Sequence, residues 1–210
     1  MKRLKISIFL SLISITCIFS QKNIGAEQVI NNLIANANNN VIKTEFILSV
    51  FDKKTVNSQS NSGVFIIKGT KFMLEMDDNK VWFDGKTQWA LMLQNNEVSI
   101  TEPTVAEIAE INPMAILSGF KAKSNLKFSK LKSVKNHIVE LTPKQKANDF
   151  TKIEVQIEKN TGNLKSMKLF TKDGSTLLTL NNYKSGLKIP DDTFTFNKLK
   201  YKGITINDLR

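Results

Sequence analysis

The side chains that most often do chemistry are scarce in this chain. His137 is the only histidine and Cys17 the only cysteine. Metal clusters built on those ligands, and Cys–His or Ser–His nucleophile systems, are therefore excluded. His137 reads as a locally oriented strand residue rather than a base. Acidic pairs remain. Asp77/Asp78 and Asp191/Asp192 fall in turns, where Asp is favoured for local hydrogen bonding, and Asp84 precedes Gly85 in another turn. Glu97 and Glu102 flank a strand. A hydrolase working with two carboxylates needs one selected pair, and nothing in the spacing selects one. Gly162 and Gly174 also sit in turns, so no glycine loop cradles a phosphate. The expectation is a protein that is not an enzyme, with no cofactor and no metal.

The elements that would position any site begin after a leader. Lys2, Arg3 and Lys5 precede an apolar core from Ile6 to Ile18, and Ser20 supplies a small residue before a cut that leaves Gln21 first. This predicts a signal peptide over residues 1–20 and one secreted domain over 21–210. The apolar core is short for a bilayer-spanning anchor, the competing reading. Cys17 lies inside it. A lipobox there would anchor the mature chain through lipid, but Ser14, Ile15 and Thr16 fit that motif poorly. Removing Lys2, Arg3 and Lys5 lowers the net charge from +11 to +8. A secreted basic protein meets anionic headgroups and acidic protein surfaces rather than nucleic acid. The densest basic stretch is Lys121, Lys123, Lys127, Lys130, Lys132 and Lys135, with no acidic residue from Ile111 to Val139. It is either a solvated face or a docking patch.

Gly25–Asn40 has the helical period, with Val29, Ile30, Leu33, Ile34 and Ala37 on one stripe. The period then changes to two. Strands are predicted at Ile42–Asp52, Ser62–Lys68, Lys71–Asp77, Val81–Phe83, Thr87–Gln94 and Glu97–Thr101. More follow at Leu126–Val134, His137–Thr142, Lys152–Glu158, Leu164–Lys172 and Ser175–Lys184, with a closing piece near Phe194. Tight polar and glycine turns join them, which predicts a curling antiparallel meander. Pro103–Phe120 interrupts the series. Thr104-Val-Ala-Glu107 reads as a capping box, Pro113 as the start of a second short helix and Gly119 as its terminator. A helix pair placed there could act as a lid.

Val64–Ile67 and Trp89–Leu93 are apolar at every position, so both faces of those strands need cover. A nearly closed barrel with an apolar interior resolves this; the alternative is an ordinary filled core. In Lys71–Asp77, Phe72, Leu74 and Met76 point one way and Met73, Glu75 and Asp77 the other. Recurrent Met (Met73, Met76, Met92, Met114) suits varied apolar contacts.

The run Val81-Trp82-Phe83-Asp84-Gly85-Lys86-Thr87-Gln88-Trp89 resembles the DGKT-W hairpin of the LolA periplasmic lipoprotein carriers. Thr44-Glu45-Phe46, Gly63-Val64-Phe65-Ile66, Asn112-Pro113-Met114, Leu141-Thr142-Pro143-Lys144, Phe194-Thr195-Phe196 and the tail from Gly203 to Arg210 are similar to that family in the same order. The resemblance implies an α+β fold: an incomplete antiparallel β-barrel of about 11 strands, covered by an N-terminal helix and a mid-chain helical lid. It also implies a monomeric periplasmic carrier of acylated lipoproteins. Such a carrier loads at an inner-membrane ABC-type lipoprotein-releasing complex and unloads at an outer-membrane acceptor. An outer-membrane lipoprotein receptor, or another lipid binder on the same fold, is the alternative, and a filled structural envelope protein a further one. Candidate cavity walls are Phe46, Leu48, Phe72, Leu74, Met76, Trp89 and Leu91; candidate lid residues are Ile108, Ile111, Met114 and Leu117. Where many members carry a lid-latching Arg-Pro, this chain has Lys68-Gly69-Thr70, so Lys68 is the candidate latch, a point charge in place of a planar fork.

Overall fold

The computed structural model describes residues 24–54, 58–104, 107–108, 111–145 and 150–210. The predicted leader and Cys17 lie outside the described residues.

Helix α1 spans Ala26–Asn39, one residue inside the predicted range at each end. Its buried stripe is Val29, Ile30, Leu33 and Ala37, the spacing that predicted it. Twelve strands follow among the described residues. In the first half they are β1 (Val41–Asp52), β2 (Ser58–Lys68), β3 (Lys71–Met76), β4 (Asn79–Phe83), β5 (Gln88–Met92) and β6 (Glu97–Thr101). Helix α2 (Pro113–Lys121) then leads into β7 (Ser124–Phe128), β8 (Asn136–Pro143), β9 (Lys152–Glu158), β10 (Leu164–Phe170) and β11 (Gly174–Ser185). The chain ends with β12 (Thr205–Asp208).

All twelve strands form one sheet in the order β12-β6-β5-β4-β3-β2-β1-β11-β10-β9-β8-β7. It is two antiparallel meanders, β1 to β6 and β7 to β11, joined where β1 pairs with β11 from Ile42–Ser185 to Asp52–Gly174. The outer strands β7 and β12 do not meet, so the sheet is unclosed. It must nevertheless curl. Helix α1 touches β1 and β2 and also β7 and β8. In a flat sheet β2 and β7 would lie six spacings apart, about 29 Å, whereas a helix with its side chains is about 10–12 Å across. Register shifts between Lys43 and Glu45 in β1 and between Leu164 and Ser166 in β10 supply local bends.

The half-barrel expectation stands, with corrections at particular elements. The piece near Phe194 is not a strand. Asp191–Phe194 is a short 3-10 turn, and Phe194 is a fully buried plug among Val41, Ile66, Leu187 and Ile189. The closing strand is β12, which runs parallel to β6 and makes the sheet mixed at that edge. β7 ends at Phe128 rather than Val134, because Lys130 to Lys135 form a loop. Gly119 lies inside α2, which continues to Lys121.

The sheet has two dressed faces. The inner face carries the main core with α1 and α2. The outer face of β3 to β6 is covered by the C-terminal segment: Phe196, Tyr201 and Ile204 pack on Trp82, Leu91 and Val98. Trp82 meets Phe196 edge-on at 5.6 Å, and Phe196 stacks on Tyr201 at 5.3 Å. This explains strands apolar on both sides in a chain with few helices.

Candidate functional site: an apolar hollow beneath a capped helical cover

The cover is built by local signals. At its start the Thr104 hydroxyl accepts from the Glu107 amide at 3.3 Å, while the Glu107 carboxylate accepts from the Thr104 amide at 2.7 Å. This is the predicted capping box. The Thr104 amide and hydroxyl, both donating to it, hold the Glu107 carboxyl below the usual carboxylate range. Glu107, Ile108 and Ile111 are helical, and the Asn112 amide donates to Ile108 O at 2.9 Å. Asn112 then caps α2 by accepting from the Met114 amide at 3.0 Å, with Pro113 in the first turn, where its missing N–H costs nothing.

Beneath this cover lies a cavity of about 420 Å³. Its floor comes from the inner face of β1, β2 and β3 through Phe46, Leu48, Phe65, Leu74 and Met76. β10 and β11 contribute Met167, Leu169, Leu178 and Leu180. The roof is Ile111, Pro113 and Ile116. Thr176 is the sole polar side chain lining it among the described residues. Ile116 and Leu169 also border a second hollow of about 980 Å³, lined by Ile108, Met114, Phe120 and Phe150 together with Asn38, Thr70 and Lys123. Phe120 and Phe150 meet edge-on at 4.1 Å. Half-buried Tyr183 packs against the same core. Burial pushes its phenol up to about 12, so it stays neutral across the physiological range.

The structure brings Phe46, Leu48, Leu74 and Met76 to this cavity. Phe72 is fully buried just beyond it, between Phe65 at 5.7 Å and Phe83 at 5.5 Å. Trp89 and Leu91 belong to the opposite face: Trp89 pairs with Trp82 and Leu91 with Val98, under the C-terminal segment. Ala90 pairs with Val81 on the inner side. An all-apolar strand hides its own phase, and a one-residue slip exchanges the faces. In the cover, Ile111 faces the smaller cavity, Ile108 and Met114 face the larger one, and Leu117 is buried in the core. No bond from Lys68 to the cover is present among the described residues. Lys68 pairs with Asp191, as does Lys71 at 3.1 Å, tying the C-terminal turn to β2 and β3. Sequence reasoning missed Phe65, Met167, Leu169, Leu178 and Leu180. The alternation Thr176, Leu178, Leu180 was the available signal.

Among the described residues no three His, Cys, Asp or Glu side chains gather as a metal site, and no helix is long and apolar enough to cross a membrane.

An unclosed, curled sheet roofed by helices over an apolar hollow defines a half-barrel of the LolA type. The chain belongs to that family: the family model described as "Outer membrane lipoprotein carrier protein LolA" matches residues 16–173. Among solved structures, an uncharacterized conserved protein from Thermus thermophilus has a TM-score of 0.54 at 10% identity, covering 87% of this chain and 98% of that one. A LolA superfamily protein from Nitrosomonas europaea scores 0.45 at 8% identity, covering 82% and 98%. A putative outer membrane lipoprotein-sorting protein domain from Vibrio parahaemolyticus scores 0.44 at 13% identity, covering 84% and 98%. No curated protein sequence matches significantly.

Proposed function

We propose that this chain is a periplasmic lipoprotein carrier that takes the acyl chains of lipoproteins into the hollow beneath its helical cover. The apolar cavity of about 420 Å³, opening beside a larger one, carries the reading. These volumes fall within the range of about 300–1,000 Å³ typical of sites for small molecules. Each methylene left in water costs about 0.8 kcal/mol, so an acyl chain of about fifteen methylenes costs on the order of 12 kcal/mol to expose. An apolar hollow that takes the chain out of water offsets that cost.

Release is the second requirement. Ile111 and Ile116 roof the cavity, so loading exchanges cover–wall contacts for ligand–wall contacts. Net affinity is then a difference between two similar terms, which keeps it reversible. No bond is broken in this cycle, and no catalytic group is required. The carrier receives cargo from an inner-membrane ABC-type lipoprotein-releasing complex and passes it to an outer-membrane acceptor.

Native mass spectrometry of the protein purified from its own periplasm tests the reading. The expected result is a population carrying acylated polypeptides, lost in Leu74→Glu. A uniformly empty protein, or one loaded only with ligands lacking acyl chains, would overturn it.

A further inference from the structure

The loop between β7 and β8 places apolar side chains where the fold has no use for them. Residues 129–135 read Ser-Lys-Leu-Lys-Ser-Val-Lys. Leu131 is 64% exposed and Val134 93%, with Phe128 at the loop's base 42% exposed. Single exposed apolar residues are ordinary on protein surfaces. Here two of them stand on a loop whose backbone is tied down at both ends and at Ser133 and Val134. The Ser129 amide donates to Ile138 O at 2.8 Å and its hydroxyl to the Glu140 carboxylate at 2.7 Å. The Asn136 amide donates to the Ser133 hydroxyl at 3.1 Å. From the β9–β10 turn, the Lys159 ammonium donates to Ser133 O and Val134 O at 2.9 and 3.0 Å. The loop is held, and its apolar tips point away from the body.

The charges on the loop itself are of one sign. Lys130, Lys132 and Lys135 alternate with the apolar residues, and none forms an ion pair among the described residues. Two acids flank the loop's base: Glu140 is engaged by Ser129, Lys127 and Lys152, and Glu158, opposite Asn136, accepts from the Thr161 hydroxyl. Protein–protein interface centres are depleted in lysine, and their anchors are aromatic or Arg side chains in desolvated pockets. A few aliphatic tips within a collar of lysines suit a lipid–water boundary. There the apolar ends enter the acyl region while lysine stems lie along it and the ammonium groups stay with anionic headgroups.

We infer that the loop over residues 129–135 is a membrane-touching tip: Leu131 and Val134 enter the boundary of an anionic bilayer while Lys130, Lys132 and Lys135 pair with its phosphates. This contact is separate from the cavity and stands whether or not the cavity holds acyl chains.

Vesicle flotation of the secreted form tests it, using phosphatidylcholine alone and phosphatidylcholine mixed with phosphatidylglycerol. The wild type floats with the mixed vesicles, and raised salt weakens the association. At roughly five-fold per lysine, Lys130→Gln/Lys132→Gln/Lys135→Gln loses on the order of a hundredfold in partitioning. Leu131→Ser/Val134→Ser loses roughly tenfold or more even at low salt. Both variants keep the wild-type thermal unfolding, since the altered side chains are mostly exposed. An environment-sensitive dye on Leu131→Cys, in a chain with no other cysteine after Gln21, shifts to an apolar signal on the mixed vesicles. Equal flotation with both vesicle types, flotation unaffected by either variant, or no flotation would overturn the inference. So would salt-sensitive flotation with an unshifted dye, the signature of a merely solvated cationic face. Capture of an acidic protein by the loop in place of lipid would overturn it as well.

Discussion

The ring of Phe46 occupies the space that a side chain at Gly63 would need. Directly across the β1–β2 ladder, a Cβ built on Gly63 would lie 2.9 Å from the Phe46 ring and 2.0 Å from the Glu75 carbonyl oxygen. Gly63 therefore lets β2 and β3 approach closely while Phe46 lies across the cavity floor. Gly63→Ala is expected to destabilise the fold by about 1–3 kcal/mol through overpacking against backbone that cannot yield. Urea denaturation with an unchanged slope and a lowered midpoint checks this.

The capping box sets how readily the cover opens. Thr104→Ala removes the acceptor for the Glu107 amide and should raise exchange of the Ile108 and Asn112 amides, in the turn that the box caps, roughly five-fold, the effect of one lost cap. Global stability should change little, because the cover is a small part of the core. Equal acceleration in β9 and β10 would show that the cover does not move as its own unit.

Two leucines separate binding from stability. Leu74 lines the cavity, and Leu91 is packed beneath the C-terminal segment on the other face. Leu74→Glu should abolish release of lipoproteins from spheroplasts. Leu91→Ala should cost about 2–5 kcal/mol of stability and leave release by the folded fraction intact. The reverse pattern would place the ligand on the outer face.

Asp191 gives an acid-side pH dependence. Hydrogen bonds from Lys68 and Lys71, and their charges, hold its carboxyl below the ordinary 3.8. Its folded value is the lower one, so the unfolded chain binds the proton more readily. The stabilisation is complete above 3.8 and is lost as pH falls through the folded value. Asp191→Asn should flatten the fall in urea midpoint below that pH and loosen the C-terminal turn. An identical acid profile in the variant would show that the pair contributes nothing measurable.

Much of the architecture was legible locally. The i, i+3, i+4 stripe of α1, the Thr104–Glu107 capping box and Pro113 in the first turn of α2 are short-range signals, and each is present. Phe72, Leu74 and Met76 were phased correctly because Glu75 marks the wetter face of β3. Trp89 and Leu91 were misplaced because no polar residue from Trp89 to Leu93 marks a phase. Phe194 looked like a strand residue and is a core plug, since Pro190 and the paired aspartates turn the chain there. The fate of Lys68 was invisible: its partner Asp191 is far away in sequence.

From its residues alone this chain specified a helix, two runs of short strands and a capped break between them, because those choices rest on neighbours within a few positions. Pairing of β1 with β11, the parallel seating of β12 on β6 and the choice of wall over outer face were decided only by tertiary structure. They join segments whose contact depends on how the whole sheet curls and on which apolar surface the C-terminal segment reaches first.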